Sequence, residues 1–215
     1  MVFDGSDVGV ASEIDAFHML DADTILLSLA SERSVANLGT VDESDIIRFD
    51  ATSLGANTAG TFSRYFDGSD VGLTASGEDI DALSVLPDGR IVISTLGVVS
   101  VPGLSAVDED LLVFTPTSLG ATTAGSWALY FDGSDVGLTN GEDIDGVDVI
   151  ANGDIYLSAP SAFAVPSLSG ANEDVFICKP TSLGNNTACT YVATLAFDGS
   201  AWGLGPDDVD GVDLP

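Results

Sequence analysis

The sequence is short of positive charge. Five Lys and Arg residues stand against 34 Asp and Glu, giving a formal net charge of −29 at pH 7. No basic stripe can therefore form to neutralise phosphates, which excludes nucleic acid as a partner, and anionic membranes are excluded for the same reason. Long apolar runs are also missing: none approaches the roughly 18 to 20 residues of a membrane-spanning helix. The N-terminus MVFDGSDVGV lacks the basic start and apolar stretch of a signal peptide. Met1 is accordingly expected to open an expression product, a processed segment or an incomplete gene product. With one histidine and two cysteines, a zinc site or a His-based triad finds no supporting partners. His18 is expected to be a surface or partly buried strand residue.

What is present is enough apolar material to fold. Apolar residues make up 45% of the 215, so acidic disorder, which pairs high charge with low hydrophobicity, is excluded. The chain also repeats itself. FDGSDVG stands at Phe3 to Gly9, Phe66 to Gly72 and Phe131 to Gly137, and returns as FDGSAWG at Phe197 to Gly203, in steps of 63, 65 and 66 residues. The acidic string Glu13-Ile14-Asp15 keeps the same beat, as Glu78-Asp79-Ile80-Asp81, Glu142-Asp143-Ile144-Asp145 and Asp207-Asp208-Val209-Asp210. So does TSLG at Thr52, Thr117 and Thr181.

Within the second unit, DIDALSVL and RIVIST flank the turn Pro87-Asp88-Gly89, which predicts a hairpin. A Gly/Ser/Pro-rich loop from Gly97 to Asp108 leads to DLLVFTP, and the TSLG connection leads to SWALYFDG. The third unit repeats this plan as DIDGVDVI, DIYLS, DVFICKP and YVATLAFDG. β-branched and aromatic residues fill the runs, Ser, Thr, Gly and Asp fill the connections, and no run keeps a helical period. The expected fold is all-β: a β-propeller-like array of four-stranded antiparallel blades, about 65 residues per repeat. Residues 1–12 would supply an orphan last strand (Val2 to Val8), 13–73, 74–138 and 139–205 the three repeats, and 206–215 an orphan first strand (Asp208 to Leu214). Orphan strands invite pairing, either with each other or end to end with neighbouring chains, or else reflect a cut through a longer array.

The units FDGSDVGL, EDIDALSVLPDGRIVIS and DEDLLVFTPTSLG resemble an acidic repeat of long bacterial secreted or surface proteins. That resemblance covers nearly the whole chain. It implies an extracellular or envelope-associated propeller-like module, and no catalytic residues come with it. A looser similarity to the calcium-binding propeller repeats of integrin α-chains lacks their compact D-x-D-x-D-G loop, so no ligands are carried over from it.

Asp67, Asp70, Asp132 and Asp135 in the junctions, with Glu78, Asp79, Asp81, Glu142, Asp143 and Asp145 close behind them, are the candidate metal ligands. Alternation puts Asp79 and Asp81 on one strand face and Glu78 and Ile80 on the other. Carboxylates so close repel, and Ca²⁺, which takes six to eight oxygen ligands, relieves that repulsion. The competing readings are turn formation with solvated surface, and halophilic solvation. A further set, Asp45, Asp108, Glu109, Asp110, Glu173 and Asp174, lies at the third strand of each unit, at the same blade end or the opposite one.

Repetition of the same acids in every unit argues against a catalytic pair, which needs two carboxyls in unlike environments. Cys178 and Cys189 can close a disulfide across a hairpin, which fits an oxidising compartment. Asn185-Asn186-Thr187 is a glycosylation sequon. Trp127 aligns with Phe62 and Tyr191 and so reads as a recurring packing site, with sugar stacking as the alternative. The resulting expectation is a non-catalytic, extracellular structural or adhesive module that is calcium-stabilised and self-associating. A carbohydrate-binding propeller with exposed aromatics beside the acids is the alternative.

Overall fold

The structure is a computed structural model describing residues 2–214, and it is all-β with antiparallel sheets. The first sheet comprises β1 (Ile14–Asp21), β2 (Thr24–Leu29), β5 (Ile46–Ser53) and β6 (Ala59–Phe66), with a hairpin of β3 (Arg33–Val35) and β4 (Gly39–Val41) inserted between β2 and β5. The second follows the same plan with β7 (Ile80–Val85), β8 (Ile91–Thr95), β11 (Leu111–Ser118) and β12 (Ala124–Phe131), and its inserted hairpin is β9 (Val99–Val101) and β10 (Leu104–Ala106). The third has β13 (Gly146–Val149), β14 (Ile155–Ser158), β17 (Asp174–Ser182) and β18 (Ala188–Tyr191), with the hairpin β15 (Phe163–Val165) and β16 (Leu168–Gly170), and β19 (Phe197–Asp198) pairs with β17.

Strand chemistry explains each place in the sheet. β2 and β8 are buried at every position and read as continuous apolar runs, whereas the outer strand β6 alternates exposed and covered residues. Consecutive sheets pack face to face. Leu26, Ile46 and Phe66 of the first sheet share one apolar cluster with Leu83, Ile91, Ile93 and Phe114 of the second. Leu111 and Val113 likewise share one with Val147, Leu157 and Phe176 of the third. The motif phenylalanines Phe66 and Phe131 are fully buried there, each worth about 1.5 to 3 kcal/mol of burial.

The motif glycine is fixed by close approach. A Cβ at Gly68, Gly133 or Gly199 would run into the backbone oxygen of Ser44, Glu109 or Glu173. The N–H of the same glycine donates to Asp45, Asp110 or Asp174. Those third-strand acids therefore anchor the junction between units. The glycine closing the motif, Gly72 or Gly137, has φ of 101° or 97° and ends a single 3-10 turn.

Three expectations change. The loop Gly97 to Asp108 contains the β9–β10 hairpin. Val2 to Val8 and Asp208 to Leu214 form no strands, and Gly5–Val8 is a 3-10 turn. YVATLAFDG is broken between β18 and β19, because the stretch from Thr181 to Phe197 is two residues longer than that from Thr117 to Phe131.

Both end segments nevertheless pack on the sheets. Gly55 N–H donates to the Val2 carbonyl and Asp4 N–H to Thr58 Oγ1. β7 lies beside both β1 and β13. The 208–214 segment bridges the other side: a Cβ on Gly146 would sit 3.2 Å from the Gly211 Cα, and one on Gly211 would sit 2.8 Å from the Phe17 ring. A cavity of about 690 Å³ remains between this segment and the apolar face of the first sheet, lined by Phe3, Phe17, Met19 and Leu27 among others.

Candidate functional site

The repeated acids divide by what they touch. Asp67 donates its N–H to Thr123 Oγ1 (2.9 Å) and accepts from the Ser69 hydroxyl (2.7 Å), while the Asp70 carboxylate accepts the Thr123 N–H (2.8 Å). Asp132 and Asp135 hold Thr187 in the same way, and Asp4 and Asp7 hold Thr58. Each DGSD turn is thus a two-point clamp on a buried threonine in the following unit. Glu78 accepts from the N–H groups of Thr74, Ala75 and Ser100, and Glu142 from those of Thr139 and Ala164. Burial pushes the Glu78 carboxyl upward, but the three N–H donors outweigh it and hold the group below its usual range. Asp67, Asp70, Glu78, Asp132, Asp135 and Glu142, six of the ten candidates, are thus committed to holding the chain; of the ten, Asp145 belongs to a cluster whose donor atoms are close enough to share one ion among the described residues.

Of the remaining four, Asp81, Asp143 and Asp145 lie near one another, while Asp79 and Asp81 both lie near Asp15. Pairing registers shift between Ile14 and Ala16 and again between Ile80 and Ala82, so Asp15 and Asp81 are the extra residues of β-bulges. A bulge re-aims a side chain out of strict alternation. Asp145 precedes β13 at the same repeat position, and Asp210 occupies it in the end segment.

Asp81 is 5% exposed and neither carboxylate oxygen has a hydrogen-bond partner. Burial first, then the charges of Asp143, Asp145 and Asp15, raise it well above the usual carboxylate range. Asp145 is pushed up to about 8 by burial and by Asp208, Asp210 and Asp143, even though Ser158 donates to it at 2.8 Å. Asp15 rises to about 6 through burial and through Glu13, Asp79 and Asp210. The carboxylates of Asp145, Asp208 and Asp210 lie within 4.8 Å of one another.

The third-strand acids border the same centre. Burial and then Asp108 and Glu109 raise Asp143 to about 7, and burial and then Glu43 and Asp42 raise Asp79. Asp143 Oδ1 and Glu109 Oε2 are both buried without partners. Oxygen ligands of this number, few of them claimed by N–H donors, suit a hard divalent cation such as Ca²⁺. Asp15 and Asp210 were not among the sequence candidates, although the repeat alignment placed them in register with Asp81 and Asp145.

A second layer lies three residues further along the same segments, at His18, Ser84, Asp148 and Asp213. His18 Nδ1 is 2.9 Å from Asp213 Oδ1, and Ser84 Oγ donates to Asp148 Oδ1 at 3.1 Å.

The aromatics are packed. Trp127 packs tilted against Phe114 at 4.8 Å and donates its indole N–H to the Val71 carbonyl, while Phe62 and Tyr191 make tilted ring contacts with Phe49 and Phe176. Trp202 is the exposed large aromatic, at 78%. Cys178 and Cys189 form a disulfide with Cα atoms 5.7 Å apart. No family model, curated protein or solved structure matches the chain.

Proposed function

We propose that the protein is a non-catalytic structural or adhesive repeat module whose sheets are the blades of a propeller and whose central acids hold Ca²⁺ in an extracellular setting. The carrying observation is Asp81: a carboxylate 5% exposed, with no hydrogen-bond partner, facing Asp15, Asp143 and Asp145. A buried group of this kind stays charged only when a counter-charge sits beside it. The described residues place no Lys or Arg against it. A divalent cation supplies that charge.

The propeller arrangement is supported by the ordered packing of three like sheets, with β7 between β1 and β13 and the 208–214 segment between β13 and β1. The disulfide fits an oxidising compartment, where millimolar calcium matches extracellular sites of about 0.1 to 1 mM affinity. The lectin reading draws little support, since the recurring aromatics Phe62, Trp127 and Tyr191 are half-buried or buried against neighbouring rings. Thermal unfolding and sedimentation in EDTA and in millimolar Ca²⁺ test the reading. A rise in melting temperature with calcium is expected; an unchanged curve overturns the calcium assignment. A shift to larger species would add self-association, which the packed end segments disfavour.

A further inference from the structure

We propose that His18, Asp148 and Asp213 form a separate site for one divalent transition-metal ion, of which Zn²⁺ is the natural probe. The three residues come from the first unit, the third unit and the end segment, and one donor atom from each lies within 4.8 Å of the others. Their side chains are largely covered: Asp148 is 4% exposed, and the His18 and Asp213 side chains 13% and 11%.

The His18 contact is the informative one. Nδ1 lies 2.9 Å from Asp213 Oδ1, yet the buried nitrogen makes no aligned hydrogen bond. Two donors about 3 Å apart and not aimed at each other match the spacing of atoms that each sit about 2.0 to 2.2 Å from a common ion. The donor chemistry separates this site from the carboxylate layer. An imidazole with two carboxylates suits Zn²⁺, Ni²⁺ or Cu²⁺, whereas all-oxygen sets suit Ca²⁺. A neutral imidazole and two carboxylates also carry a charge of −2, which one divalent ion cancels.

The surroundings orient the ligands. Asp148 Oδ1 accepts from Ser84 Oγ, which in turn accepts the Val149 N–H at 3.1 Å. Asp148 Oδ2 accepts the Leu214 N–H at 3.1 Å, and Asp213 Oδ1 the Met19 N–H at 3.2 Å. Such outer bonds fix carboxylate geometry around a metal, and their loss typically costs about 10- to 100-fold in affinity. The site does not rest on the calcium reading, because it shares no ligand with it.

The test is isothermal titration of the EDTA-stripped protein with Zn²⁺ in the presence of excess Ca²⁺, which silences weak binding to surface acids. The visible spectrum of bound Co²⁺ is recorded in parallel. One ion per chain is expected, with a Co²⁺ spectrum showing nitrogen ligation. His18→Ser installs the residue that the second unit carries at this position, so the fold tolerates it; it should weaken Zn²⁺ binding at least tenfold. Asp148→Asn should do the same, and Asp81→Asn should leave it unchanged. Absence of stoichiometric Zn²⁺ binding to the parent protein, or equal binding by His18→Ser and Asp148→Asn, overturns the proposal.

Discussion

Replacing Asp81 by Asn separates the cation reading from ordinary packing. The carboxyl sits 5% exposed with no donor, so in the cation-free protein it persists by holding a proton against its neighbours. Asp145, raised from 3.8 to about 8, and Asp15, raised from 3.8 to about 6, do the same. For a carboxyl whose pKa is higher folded than unfolded, the stabilisation is full below the unfolded value and is lost as pH rises through the folded one. Cation-free parent protein should therefore lose stability between about pH 4 and pH 8. The slope approaches about 1.4 kcal/mol per pH unit for each proton released.

Calcium should flatten that slope. At tenfold excess over its dissociation constant it adds about 1.4 kcal/mol, or roughly 3 to 6 °C for a chain of this length. Asp81→Asn removes the charge while keeping the shape. In EDTA at pH 8 it should melt at or above the parent temperature, and calcium should raise it by under about 1 °C. Differential scanning calorimetry at pH 5 and pH 8, with and without calcium, reads all four values. A variant less stable than the parent in EDTA at pH 8, together with a full calcium response, would show that Asp81 is a packing residue and refute the reasoning.

The clamps predict a different phenotype: Thr123→Val strips the acceptor from the Asp67 N–H and should cost about 1 to 3 kcal/mol in urea unfolding, with or without calcium. Gly72→Ala combines a φ of 101° with a Cβ placed 2.7 Å from the Pro102 ring, and should lower the melting temperature by several degrees. Reducing the Cys178–Cys189 bond, which joins residues 11 apart, should cost about 2 to 3 kcal/mol in chemical denaturation. Trp202→Ala should stay within about 0.5 kcal/mol of the parent, because its ring is exposed.

The strand plan was legible because the repeat is strict and a two-residue period leaves little freedom once the apolar face is known. Turn residues marked the first hairpin of the second unit correctly, and Gly89 N–H closes onto the Leu86 carbonyl as that turn requires. The β9–β10 hairpin was also signalled, by Val-Ser-Val before Pro102-Gly103 and Leu-Ser-Ala after it, but three-residue strands fall below the length at which alternation stands out. The candidate ligands were harder to sort. Asp70 and Asp81 are the same residue type eleven positions apart, and only three dimensions show that the Thr123 N–H of the next unit claims one carboxylate while nothing claims the other. Asp81 is the extra residue of a bulge, which a two-residue period does not describe. His18 looked isolated because its partner Asp213 lies 195 positions further on, a separation at which spacing carries no information.

That separation also shapes how the molecule comes together. Met19 bonds to Asp213 across 194 residues, so the first sheet waits for nearly the entire chain before the 208–214 segment can meet it. Closing a loop of that length costs on the order of 4 to 5 kcal/mol in chain entropy beyond a fixed term, and contacts so distant in sequence form late and slowly. Through synthesis, the apolar face of the first sheet is the surface most exposed to misassembly. The ion proposed to be shared by His18 and Asp213 would act only at the end of that search, as a latch between the first sheet and the 208–214 segment.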